Sequence, residues 1–81
     1  MDFEKRIIET VKNNLEKKSE VNMESLLVED LGVDSFNKVM IIAAIEDEFS
    51  IEIDEVDFAG IQKVSDIVDK LKLKYPQIVG E

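Results

Sequence analysis

Chemistry in this sequence has few residues to work with. There is no Cys and no His, so thiolate chemistry, disulfides and the commonest general base and metal ligand are all missing. Asp and Glu could act as acid and base, but no pair among them stands out. The residue whose setting stands out is Ser35, which follows Leu31-Gly32-Val33-Asp34 and opens the strongest helical pattern of the chain. A Ser at a helix start can act as an N-cap, accepting a hydrogen bond from a first-turn N–H. The same place suits a covalent phosphodiester, because unpaired N–H groups and the positive end of the helix dipole favour a phosphate there. Gly32 would let the chain turn tightly before the helix. Ser19, Ser25, Ser50 and Ser65 have less distinctive settings, and capping suffices for Ser65.

The elements that must position Ser35 follow from periodicity. Phe3, Ile7, Val11 and Leu15 recur every four residues, which predicts a first helix from Asp2 to about Lys18. Asp2 is its expected cap, and Lys17 and Lys18 suit its C-terminal dipole. Residues 19–34 lack clear periodicity and read as a long loop pinned by Leu26, Leu27 and Leu31. A second helix is expected from Ser35 to Phe49, then an extended piece to Ile53 and a short helix from Asp54 to about Ile61, stopped near Gly60. The last helix runs from about Val64 to Lys74 on Ile67, Val68 and Leu71, with Pro76 and Gly80 in a loose tail. The expected fold is all-α: one domain over residues 1–81, a four-helix bundle with a short third helix and a long loop between helices 1 and 2.

The second helix carries two apolar faces. At 100° per residue, Ile41, Ile42, Ile45 and Phe49 cluster on one side, while Phe36, Val39, Met40 and Ala43 follow the i, i+3, i+4, i+7 pattern on the other. Lys38 projects toward the first side, in the first turn. The larger set is the better core candidate. The second set, beside Ser35 and flanked by Glu46 and Asp47, is either an exposed binding stripe with a charged rim or the far side of a fully buried central helix.

Charge is concentrated in the same region. Residues 29–57 hold ten acids and one base, Lys38, and account for the whole net charge of −9; the rest of the chain has nine acids and nine bases. Such a region repels nucleic acid and anionic membrane and attracts basic protein surfaces. Met1-Asp2-Phe3-Glu4 does not read as a signal peptide and no apolar run approaches membrane-spanning length, so a cytoplasmic protein with no membrane span is expected.

Asp34-Ser35, preceded by Leu31-Gly32 and followed by an apolar helix ending Ile45-Glu46-Asp47-Glu48-Phe49, resembles the acyl carrier protein signature. Ile51-Glu52-Ile53-Asp54 and Val64-Ser65-Asp66-Ile67-Val68 fit the same pattern, so the likeness runs from the first helix to about Leu71. The resemblance implies a carrier and not an enzyme. Its 4′-phosphopantetheine cofactor would be attached to Ser35 by a phosphopantetheinyl transferase using coenzyme A, and the arm's own thiol would hold acyl cargo. Asp34 would orient the arm or assist the transferase. The family's docking surface would fall on Phe36, Val39, Met40, Ala43, Glu46 and Asp47, meeting acyl-loading and acyl-processing enzymes with basic surfaces. Ile45, Ile53 and Ile61 are candidates for lining an acyl space. No metal site is expected, and a monomer is.

Three departures bear on the pathway. Phe36 stands where fatty-acid carriers usually have Leu, Asn37 where they often have Asp, and Met40 where they often have Glu. The last two each remove a negative charge from the expected docking face. The expected pathway is fatty-acid, polyketide or another specialised biosynthesis, and these departures point to a specialised carrier over a housekeeping fatty-acid one. Asp34-Ser35-Phe36 also resembles D-alanyl carrier proteins of cell-wall polymer modification. Two rival classes are an unmodified acidic interaction module and a divalent-ion binder using Glu52, Asp54, Glu55 and Asp57. Loops starting at Asp54 or Asp30 place Val56 or Gly32 at the third position, where an EF-hand needs an oxygen ligand.

Overall fold

The computed structural model describes residues 2–15 and 19–79. Its elements are α1 (Phe3–Asn13), α2 (Ser35–Phe49) and α3 (Val64–Lys74), with single 3₁₀ turns at Glu55–Phe58 and Pro76–Ile78. The chain is thus all-helical, with three α-helices among the described residues and not four. The expected third helix is only one 3₁₀ turn, started by the Asp54 carboxylate accepting the Val56 N–H at 3.1 Å. Gly60 does not stop it in a left-handed conformation, since Gly32 is the only described glycine with positive φ.

Each helix begins on a carboxylate. The Asp2 side chain accepts from the Lys5 N–H at 2.8 Å, and α1 then buries Phe3, Ile7 and Val11 on one face. It ends at Asn13, short of the expected Lys18. Asn14 turns its side-chain amide back to the Thr10 carbonyl at 2.8 Å, a local bond that competes with helix continuation. Lys17 and Lys18 lie outside the described residues, as does Gly80. At α3, Asp66 reaches back to accept the N–H groups of Lys63 (2.9 Å) and Gln62 (3.0 Å). Ser65, inside the first turn, is not the cap.

The long loop is ordered by its own turns and by docking on α3. Asp30 accepts from the Leu26 N–H at 2.9 Å, closing a turn, and Gly32 follows at φ +67, a left-handed conformation that glycine adopts without penalty. The N–H groups of Val64 and Ser65 donate to the Ser25 and Met23 carbonyls, and the Leu27 N–H donates to Gln62. The loop therefore satisfies the orphan donors that begin α3. Leu27, Leu31 and Val33 enter the core, whereas Leu26 is half-buried and forms an isolated backbone bridge with Lys63.

The core joins Phe3, Ile7 and Val11 of α1 to Ile41, Ile42, Ile45 and Phe49 of α2 and to Val64, Ile67, Val68 and Leu71 of α3, with Phe58 sealing one side. A clamp fixes the C-terminal end of α2 on α1. Arg6 donates to the Glu48 carboxylate at 3.0 Å and to the Glu48 carbonyl at 3.1 Å, and its guanidinium lies 4.4 Å above the Phe49 ring. With that end held, the opposite end of α2 presents Ser35.

Candidate functional site

The N-terminus of α2 divides its work between two neighbours. Asp34, in extended conformation, is the N-cap, and its carboxylate accepts the Asn37 N–H at 2.8 Å. Ser35 is the first helical residue, so the capping role open to it in the sequence is taken by Asp34. Ser35 is exposed, and no hydrogen bond among the described residues involves its hydroxyl. In the first turn, the Ser35 and Phe36 N–H groups have no intrahelical partner, which leaves positive partial charge beside the hydroxyl.

A groove of about 210 Å³ adjoins this hydroxyl, lined by Ser35, Lys38, Val39 and Ile42. These residues stand at i, i+3, i+4 and i+7, one stripe along the helix. Lys38 and Ile42 were not among the site residues expected from sequence, although the same spacing counted from Ser35 points to them. The site can hold an anionic ester on the exposed oxygen, with an ammonium and apolar side chains alongside it.

The two apolar faces of α2 have opposite fates. Ile41, Ile42, Ile45 and Phe49 are buried, while Phe36 (70% exposed), Val39 (52%), Met40 (44%) and Ala43 face outward, with Asp47 exposed beyond them. The helix is not buried on both sides. Glu46 is half-buried, and its carboxylate accepts the Ile53 N–H at 2.7 Å. Asn37 is 5% exposed and therefore not part of the outward stripe, so its lack of charge cannot alter that surface as expected; Met40 can.

The three isoleucines expected around an acyl space differ in exposure. Ile45 has no exposed surface and belongs to the packed core. Ile53 and Ile61 are half-buried at the core's edge, and Ile61 borders a separate groove with Asp66, Asp69 and Leu73. Among the described residues no three potential metal ligands gather, and the side chains of Glu55 and Asp57 lie outside the described ones. No described helix is long and apolar enough to cross a membrane.

Residues 5–71 match the family model described as the phosphopantetheine attachment site. The chain is 36% identical to the acyl carrier protein of Rickettsia bellii strain RML369-C over 72 residues, 88% of this chain and 84% of that one. It is 46% identical to the acyl carrier protein of Nitratidesulfovibrio vulgaris strain DP4 over 55 residues, 68% of this chain and 72% of that one. A solved Mycobacterium tuberculosis structure described as an acyl carrier protein superimposes with a TM-score of 0.78 at 30% identity, covering 89% of this chain and 97% of its own. The chain belongs to the acyl carrier protein family: it is a phosphopantetheine-bearing carrier and not an enzyme.

Proposed function

We propose that Ser35 is the residue to which 4′-phosphopantetheine is attached. The observation that carries this reading is the division of labour at the start of α2: Asp34 holds the cap, leaving an exposed hydroxyl without a structural task beside the groove of Lys38, Val39 and Ile42. In the attachment reaction the Ser35 oxygen bonds to the phosphorus bearing the pantetheine unit of coenzyme A. The pyrophosphate bond breaks, the nucleotide portion leaves, and the transferase accepts the hydroxyl proton. Once attached, the arm supplies a thiol that carries acyl groups as thioesters.

The exposed stripe of Phe36, Val39, Met40 and Ala43, with Asp47 and the outer part of Glu46, is the surface that partner enzymes read. Its apolar centre supplies contact area, and the acids of residues 29–57 steer basic partner surfaces toward it. The protein works as a monomeric, cytoplasmic carrier, one domain over residues 1–81. Phe36 and Met40 make the stripe bulkier and less charged than a fatty-acid carrier's, which favours a dedicated pathway over housekeeping fatty-acid synthesis. The Asp34-Ser35-Phe36 run supports a second reading, D-alanyl transfer to a cell-wall polymer.

Intact mass after incubation with coenzyme A and a promiscuous phosphopantetheinyl transferase tests the attachment. One phosphopantetheine unit is expected on the native chain and none on Ser35→Ala; modification of the variant would overturn the assignment. Loading assays with activated fatty acid, D-alanine and other amino acids then separate the pathways. Efficient turnover by housekeeping fatty-acid enzymes would defeat the specialised reading.

A further inference from the structure

Lys38 is the single base among residues 29–57, and it lines the groove beside Ser35. Three residues apart on a helix, the two side chains stand roughly 5–6 Å apart at their Cβ atoms. Helical side chains lean toward the N-terminus, so Lys38 reaches over the turn that holds Ser35. A half-buried lysine covers apolar surface with its stem while its ammonium keeps to the wet edge.

Asp34 lies four residues earlier, a spacing at which ion pairs commonly form, but its Oδ1 accepts the Asn37 N–H and it makes no ion pair with Lys38. Lys38 makes no ion pair with any described residue. An anionic ester on Ser35 would otherwise enter a region dominated by acids, with Asp34 adjacent. An ammonium one turn along offsets that repulsion.

We propose that Lys38 is a positioning residue for the arm: its ammonium pairs with the phosphodiester on Ser35 and turns the adjoining methyl-bearing segment of the arm over Val39 and Ile42. This rests on the reading that Ser35 is the attachment residue. The groove then presents the right chemistry in order, with the ester oxygen first, a cation next and apolar side chains beyond.

The test compares the native chain, Lys38→Met and Lys38→Arg, each before and after modification. Matching melting curves of the unmodified proteins establish that the fold is unchanged. At low ionic strength, reductive methylation of the Lys38 amine is expected to slow about threefold once Ser35 carries the arm. Lys12, on α1, should keep its rate, and the Lys38 effect should vanish in high salt. With isotopically labelled pantetheine, the arm amides should become more mobile in Lys38→Met, and Lys38→Arg should restore the native relaxation rates. A chain that gains no mass on Ser35 overturns both this assignment and the attachment reading. Modification with equal methylation rates before and after, or equal arm mobility in all three chains, overturns the lysine assignment alone.

Discussion

The Glu46 carboxylate accepts a hydrogen bond from the Ile53 backbone N–H at 2.7 Å, joining the rim of the exposed stripe to the segment that follows α2. The Tyr75 hydroxyl donates to the neighbouring Glu52 carbonyl, so this segment is held from two sides. Glu46 therefore has a structural task besides its charge. Replacing it with Ala should cost about 1–2 kcal/mol in urea unfolding, because a charged acceptor is lost. Glu46→Gln keeps an acceptor and should recover about half of that loss. A Gln variant as unstable as the Ala variant would show that the bond to Ile53 contributes nothing beyond charge.

Asp34 and Ser35 should separate cleanly in mutagenesis. Asp34→Ala removes the cap of α2 and should lower stability by about 1 kcal/mol. Ser35→Ala should change it by less than about 0.5 kcal/mol while abolishing modification. Equal destabilisation by the two changes, read from denaturant midpoints, would return a capping role to Ser35.

Acid should act through Asp66. Hydrogen bonds from the Lys63 N–H, and then the Gln62 N–H, hold its carboxyl below the ordinary carboxylate value, outweighing the small opposing effect of burial. A group whose pKa is lowered on folding stabilises the fold at pH values above its unfolded pKa. That contribution is lost as pH falls from about 4 toward the lowered value. Asp66→Ala should cost about 1 kcal/mol at pH 7 and progressively less below pH 4, with the two unfolding curves converging in acid. A difference that stays constant with pH would contradict the assignment.

Ser50 ends α2 in the left-handed region, at φ 55 and ψ 48, while its N–H donates to the Glu46 carbonyl. Glycine adopts this conformation without the Cβ penalty. Ser50→Gly should raise stability by about 0.5–1 kcal/mol, visible as a higher melting temperature. An unchanged or lower melting temperature would mean that the serine side chain compensates for its backbone.

The outward stripe should matter to partners and not to folding. Phe36→Ala leaves the core untouched and should shift stability by less than about 0.5 kcal/mol. If Phe36 anchors the docking surface, kcat/KM for the transferase should fall about tenfold, the scale of one aromatic contact. Met40→Glu should strengthen the salt dependence of the same reaction. Unaltered transferase kinetics in both variants would remove the stripe from the interface.

Local features of this protein are legible in its sequence because they depend on residues three or four apart. Phe3, Ile7 and Val11 define the inner face of α1, and the bounds Ser35–Phe49 and Val64–Lys74 follow from apolar spacing. The Asp34-Ser35 run, with its flanks over residues 31–54 and 64–68, points to the acyl carrier protein family from the sequence alone. Tertiary structure decided what depends on distant partners. It chose which apolar face of α2 meets α1, turned Asn37 inward, and reduced the third helix to one 3₁₀ turn between Asp54 and Phe58. It also set the Glu46 carboxylate on the Ile53 N–H seven residues away while leaving Asp47 exposed, whereas the bonds of Asp34 to Asn37 and Asp30 to Leu26 are local. Charge is a property of the residue, but whether a backbone N–H lies within 3 Å of a carboxylate depends on how the whole chain packs.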